Sequence, residues 1–298
     1  MQVVQLARKW TRPVIIMVTL TVVCCSGMAQ GAPPGMDAKY SHSTDSDGIT
    51  THAWRVGTVD DGQHWNVTVY HTRIDENNRA LNNNTAIFKY KLPVAPEAAW
   101  SFWLGANKND IQDFYPHSVM YDASMGAKGH VWASYSHEAI GTITAYEQNI
   151  HIDATGLSVK YAFDPKWEAA LELRRMDYSD GNRRDRSILT FTRQLVDAWK
   201  IKGGYLYDGA DRKATGKYYV PVQEKAWFLG LEKTVPIGNA KLVVSGDKSF
   251  GAKNSDGSIK RHGLGTELNW GRFAGGLRYE RSGDYWVHSY HFSWHQTW

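Results

Sequence analysis

Ser289, His291, Ser293 and His295 occupy every second position near the end of the chain. A histidine beside a serine can act as base and nucleophile in ester hydrolysis, and two histidines on one face can also ligate a metal. On the opposite parity stand Trp286, Tyr290, Phe292, Trp294 and Trp298. Side chains alternate across a strand with period 2, so residues 285–298 read as one strand with an aromatic face and a polar, hydrogen-bonding face. On such a polar face imidazoles and hydroxyls also satisfy one another without doing chemistry. Elsewhere the chain carries no phosphate loop, dinucleotide fingerprint, Gly-x-Ser-x-Gly elbow or His-Glu-x-x-His, which argues against an enzyme, a cofactor or a metal centre.

The elements around this row are all of one kind. Alternating segments recur at 37–44, 49–59, 63–74, 85–92, 98–106, 118–125, 130–136, 150–163, 166–178, 186–195, 198–207, 225–235, 240–250, 259–269 and 272–281. With the closing segment they predict an all-β chain of about sixteen strands. The connections sort by parity. Those after even strands are tight, as at Asp60-Asp61-Gly62, Asp164-Pro165 and Trp270-Gly271, while 75–84, 107–117, 137–149, 179–185, 208–224 and 251–258 are longer and polar. Short turns at one end and long loops at the other are what a transmembrane antiparallel up-and-down β-barrel requires, with both termini periplasmic.

The N-terminal residues set the compartment. Arg8, Lys9 and Arg12 precede an apolar run over 14–25, and Gly27-Met28-Ala29 supplies small residues for cleavage. This is the plan of a secretory signal peptide over 1–29, followed by a short leader over 30–36 and a barrel over 37–298. Both cysteines, Cys24 and Cys25, lie inside the signal, so the mature chain is expected to hold no disulfide. Removing the signal takes the formal charge from +4 to +1, with 31 basic residues against 30 acidic. No basic field remains to favour nucleic acid.

Within strands the two faces separate. Leu264, Thr266, Leu268 and Trp270 alternate with Gly263, Gly265, Glu267 and Asn269, and Phe273, Leu277 and Tyr279 alternate with Ala274, Arg278 and Glu280. The polar parity collects Lys160, Glu168, Glu172, Lys200, Lys202, Glu232, Asp247, Arg261, Glu267, Arg278, Glu280 and His291 as lumen-lining candidates. Charges of both signs on one wall imply a hydrated interior crossed by ion pairs, because a charge facing lipid at mid-depth costs about 2–4 kcal/mol. Trp65, Trp100, Trp132, Trp167, Trp199, Trp270 and Trp298 stand beside the tight turns or at the chain end, the position of a periplasmic aromatic girdle. At the opposite mouth, Arg183 and Arg184 are candidates for lipopolysaccharide phosphates or an anionic polymer, and Tyr178, Tyr207, Tyr218 and Tyr219 for a girdle or sugar-stacking platform. His137-Glu138 belongs to the same mouth.

The loop 177–184, the opening Asp45-Ser46-Asp47-Gly48 hairpin, Tyr218-Tyr219-Val220-Pro221 ahead of a strand and the run 145–150 give the chain a family likeness. It resembles the YaiO-type outer-membrane proteins and the C-terminal barrels of cellulose and poly-N-acetylglucosamine export porins. A terminal strand ending on an aromatic residue also resembles the closing signal of bacterial outer-membrane barrels. The resemblance implies a porin-like conduit or accessory for surface exopolysaccharide in a Gram-negative outer membrane. It implies as partners membrane lipid and lipopolysaccharide, the barrel-assembly machinery, a polysaccharide and, since those exporters carry a tetratricopeptide scaffold absent here, a separate periplasmic scaffold protein. The alternatives are a lipid-acting barrel enzyme using His291 and Ser293, and a plugged structural or adhesion barrel.

Overall fold

A computed structural model describes residues 35–58, 64–195, 198–214, 218, 220, 224–254, 257–258 and 260–296. Each alternating segment forms one long strand: β1 (Met36–Asp45), β2 (Thr50–Thr58), β3 (Trp65–Glu76), β4 (Arg79–Ala95), β5 (Ala98–Asn109) and β6 (His117–Met125). Then come β7 (Gly129–Ala139), the one-turn helix α1 (Ile143–Glu147), β8 (His151–Asp164), β9 (Trp167–Tyr178), β10 (Arg183–Gln194) and β11 (Trp199–Ala210). The last are β12 (Glu224–Ile237), β13 (Ala240–Asn254), β14 (Arg261–Trp270), β15 (Phe273–Ser282) and β16 (Tyr285–Gln296). Two-residue strands at Asp113–Phe114 and Gly257–Ser258 extend the edges of β5 and β13.

Each strand pairs antiparallel with its sequence neighbours, and β1 pairs with β16 from Met36↔Gln296 to Asp45↔Val287. The sheet is therefore a closed sixteen-strand barrel, which leaves no open edge of unpaired backbone groups. Both described termini lie at one end, here the near end; the other is the far end.

Register assigns the faces. Leu264, Leu268, Leu277, Leu229, Leu231, Leu157, Phe163, Phe191, Phe102 and Phe292 share the outward parity and are all more than a third exposed. An outer wall of exposed Leu and Phe around a charged inner wall inverts the arrangement of a water-soluble sandwich, and hydrocarbon is the solvent that stabilises it.

The near-end connections that are described throughout, at 96–97, 126–128, 165–166, 238–239 and 271–272, are tight, as the sequence predicts. Gly271, at φ +57°, supplies the left-handed residue of the β14–β15 turn. The far end departs from expectation in the connection over 75–84. Instead of a long loop, Asn77 and Asn78 adopt positive φ of 49° and 63° and close a two-residue hairpin, with β3 and β4 zipped up to Glu76↔Arg79. The Asn82-Asn83-Asn84 run that reads as loop is strand. Asn84 Oδ1 lies 2.9 Å from His71 Nδ1 on the outer face, while Asn83 points inward and is buried. The strands thus rise past the apolar belt into a polar collar, where Arg175 pairs with Asp185 at 2.9 Å and Arg183 with Asp177 at 2.8 Å.

The sequence carries no helical periodicity over 137–149, and one turn is too short to show any. There the chain folds back into the barrel mouth. Thr142 caps α1 by accepting from the Ala145 N–H at 3.2 Å, and Glu76 accepts from the Ile143 N–H at 3.1 Å. Ile143 and Tyr146 bury against the inward Ile74 and Leu81. A second apolar cluster joins Ala145, Ile150, Ala154, Met176, Tyr178, Ala210, Ala214, Tyr218 and Val220. The barrel's dry core is therefore a cap across the far mouth, not a filling of its full length.

Candidate functional site

All twelve residues marked for the lumen stand on the inward parity, and eight of them take part in ion pairs. Lys160 Nζ is 2.8 Å from Glu168, Lys200 Nζ 2.8 Å from Glu232, and Arg261 2.6 Å from the buried Glu224. Arg278 reaches Asp247 at 3.6 Å and also bonds Glu280. Large inward groups are seated over glycines. A Cβ on Gly276 would fall 2.7 Å from the His291 ring, and one on Gly263 the same distance from Asp247.

His291 and Ser293 do not meet as base and nucleophile. The Ser293 hydroxyl donates to the Ala274 carbonyl at 3.5 Å, and the His291 imidazole occupies the space beside Gly276. Neighbouring positions on one side of a strand point in parallel, so the row offers hydrogen bonds to the lumen and no converging dyad.

Beneath the cap the inner wall lines an open-sided pocket of about 460 Å³. Trp103, Trp132 and Met120 give it apolar surface, and Glu138, Glu172 and Arg174 give it charge. Arg174 is held 2.8 Å from Glu138, and Glu138 accepts from Ser136 at 2.5 Å. The hydroxyls of Ser118 and Ser158 also line the cavity and are buried with no protein partner. A buried polar atom without a partner is costly, and either hydroxyl would need a side-chain rotation to reach an occupant of the space. Lys89, with its ammonium 5.8 Å from the centre of the Trp103 ring, continues the aromatic and cationic surface toward Arg55, Tyr70 and Asn66.

Trp132 corrects the girdle assignment. It pairs in register with Asp122 and Ser158 on the inward parity and faces the cavity. Its closeness to a tight turn resembles that of the others, but β7 is shifted by one in phase. Trp65, Trp100, Trp167, Trp199 and Trp270 stand outward at the near end. Arg193 lies 4.9 Å over the Trp167 ring and Lys233 4.8 Å over Trp199. Trp298 lies outside the described residues.

The mouth residues separate into three groups. Tyr207 and Arg183 stand outward, Tyr207 beneath the Lys225 ammonium at 5.9 Å. Arg184 points inward and donates twice to the buried Asp208, at 2.6 and 2.7 Å. Tyr178 and Tyr218 are buried against each other in the cap, which leaves no free ring face there for a sugar. Tyr219 lies outside the described residues. Tyr218 donates to Asp180 at 3.0 Å and accepts from Asn182 at 3.4 Å. Burial, reinforced by the Asp180 carboxylate, pushes its hydroxyl up to about 12.

Sequence reasoning passed over His117, His151 and Asp153, which the far rim gathers around His137. The signal for them is a histidine closing one strand and a His-x-Asp opening the next, visible only once the two are known to pair.

No family model matches the chain, and no curated protein matches it in sequence. Solved structures share its fold. A bacterial polysaccharide outer membrane secretin superposes over 87% of this chain and 97% of its own, with a TM-score of 0.70 at 10% identity. OccK3 (OpdO) from Pseudomonas aeruginosa superposes over 89% and 95%, with a TM-score of 0.53 at 9% identity. CdiB from Acinetobacter baumannii superposes over 88% of this chain but 60% of its own, with a TM-score of 0.54 at 10% identity. The chain therefore has the fold of outer-membrane β-barrels.

Proposed function

We propose that the protein is a porin-like conduit of the outer membrane that passes a surface polysaccharide, with the near end in the periplasm and the far mouth closed at rest by residues 140–150 together with Ala214, Tyr218 and Val220. The observation that carries this reading is the composition of the cavity under the cap. The side chains of Trp103 and Trp132 and the Glu172 and Arg174 charges line one space, with Ser118 and Ser158 in its wall. Sugars present apolar C–H faces ringed by hydroxyls, so a wall of aromatic surface interleaved with hydrogen-bonding groups suits them. The ion-paired inner wall keeps the rest of the path wet. The likeness over 97% of a polysaccharide outer membrane secretin supports the same reading.

The test is conductance in planar bilayers of the intact barrel and of a variant lacking both residues 141–149 and residues 211–223. The variant should conduct, and a neutral oligosaccharide should block the current by entering the cavity; Trp132→Ala should weaken that block. A barrel that stays silent after the deletion is not a conduit.

A further inference from the structure

We propose that His137, His151 and Asp153 form a binding site for a divalent transition metal of the zinc class, on the rim where the closing segment leaves and rejoins the wall. His137 stands near the end of β7 and pairs in register with Asp153 of β8, and His151 lies two residues before Asp153 on the same face. Their ligating atoms all lie within 4.8 Å of one another. Tetrahedral zinc with bonds near 2.0–2.1 Å to imidazole and carboxylate separates its ligands by roughly 3.3 Å, so rotamer adjustments on one rim bring the three together.

The surroundings are those of a supported site. His137 Nδ1 is 2.9 Å from Asp153 Oδ1, and the Tyr135 hydroxyl donates to that same oxygen at 2.8 Å, which orients the carboxylate. The Phe114 and His117 rings stack on His137 at 4.9 and 5.0 Å and fix its plane. The atoms that lie within 4.8 Å of one another belong to His137, His151 and Asp153, and His117 packs on His137 beside them. The Asp153 side chain is 45% exposed, which leaves the site open to solvent. Two imidazoles and one carboxylate leave a position for water or a ligand from outside the chain. The ligands share the outward parity of Leu157, so a metal here would tie β7 to β8 on the outer side of the rim and stiffen the points where residues 140–150 leave and rejoin the wall. That consequence rests on the conduit reading; the binding itself does not.

The experiment uses the full barrel in detergent with Co²⁺ as a visible-absorbing probe. One equivalent should give a d–d spectrum that Zn²⁺ displaces. His151→Ala and Asp153→Asn should each weaken Co²⁺ binding by about tenfold or more, with folding checked by heat modifiability. His291→Ala, on the inner wall, should leave binding unchanged. Absence of the spectrum, or its persistence in His151→Ala, overturns the site. Zn²⁺ should also reduce the conductance of the wild type and not that of His151→Ala. A sound spectrum without that reduction would leave the site standing and remove its link to the mouth.

Discussion

Tyr178 and Tyr218 stack with ring centroids 4.5 Å apart and 7° between their planes. The Tyr178 ring belongs to the wall, on the inward face at the far end of β9, and the contact holds Tyr218 inside the mouth. Tyr218→Ala removes the stack and the hydroxyl's bonds to Asp180 and Asn182 together. Single-channel conductance should rise severalfold while the barrel still migrates as folded before heating. Unchanged conductance would mean that the cap does not limit the path.

The same hydroxyl gives the mouth a pH dependence of defined sign. Tyr218 holds its proton up to about 12 when docked, against about 10 when released into water. The docked state's advantage is complete below about 10 and falls as pH rises through the docked value. Conductance recorded from pH 9 to 12 should therefore increase across that window. Tyr218→Phe keeps the ring and lacks the ionising group, so its conductance should stay flat there; an equal rise in both would assign the opening elsewhere.

Arg184 and Asp208 form a two-pronged pair on the inner wall just below the cap, with side chains 18% and 7% exposed. Asp208→Ala strands a buried guanidinium and should cost about 3–5 kcal/mol. Urea titration of the reconstituted barrel should show an earlier midpoint. The double change Arg184→Met with Asp208→Leu, which removes both charges, should recover most of the loss. A double variant as weak as the single one would point to lost packing.

Leu268 and Glu267 are sequence neighbours on opposite faces of β14. Leu268→Arg puts a charge against hydrocarbon at a cost of about 2–4 kcal/mol near mid-depth, and should reduce the folded, heat-modifiable form. Glu267→Ala, whose carboxylate accepts from Asn269 at 3.1 Å, should assemble normally. Equal behaviour on the gel would reverse the two faces.

Strand number and face were legible because period-2 alternation is enforced at every residue by lipid on one side and water on the other. Leu264 through Trp270 shows it without reference to any partner. What reads poorly is whatever depends on where a strand stops being in contact with lipid. Above the belt the outer face turns polar, so Asn82–84 and Arg183–185 carry loop composition on strand backbone. Trp132 misleads for a related reason, since distance from a turn fixes height on the barrel but not side. The cap was illegible because α1 is a single turn whose apolar residues find their partners, Ile74 and Leu81, more than sixty positions away. The rim histidines needed the β7–β8 pairing before their proximity had any meaning.

The seam between β1 and β16 joins Tyr40 to Phe292 and His42 to Tyr290, residues made at opposite ends of synthesis. The earliest barrel strand must wait for the latest, and until then two bare margins of backbone amide face their surroundings. Bonds across so long a separation form slowly, and in hydrocarbon an unmated margin is prohibitive. The wall can therefore be completed only at the moment its final stretch is delivered. A chain cut short before β16 should persist as an unsealed sheet prone to degradation, not as a slightly narrower cylinder.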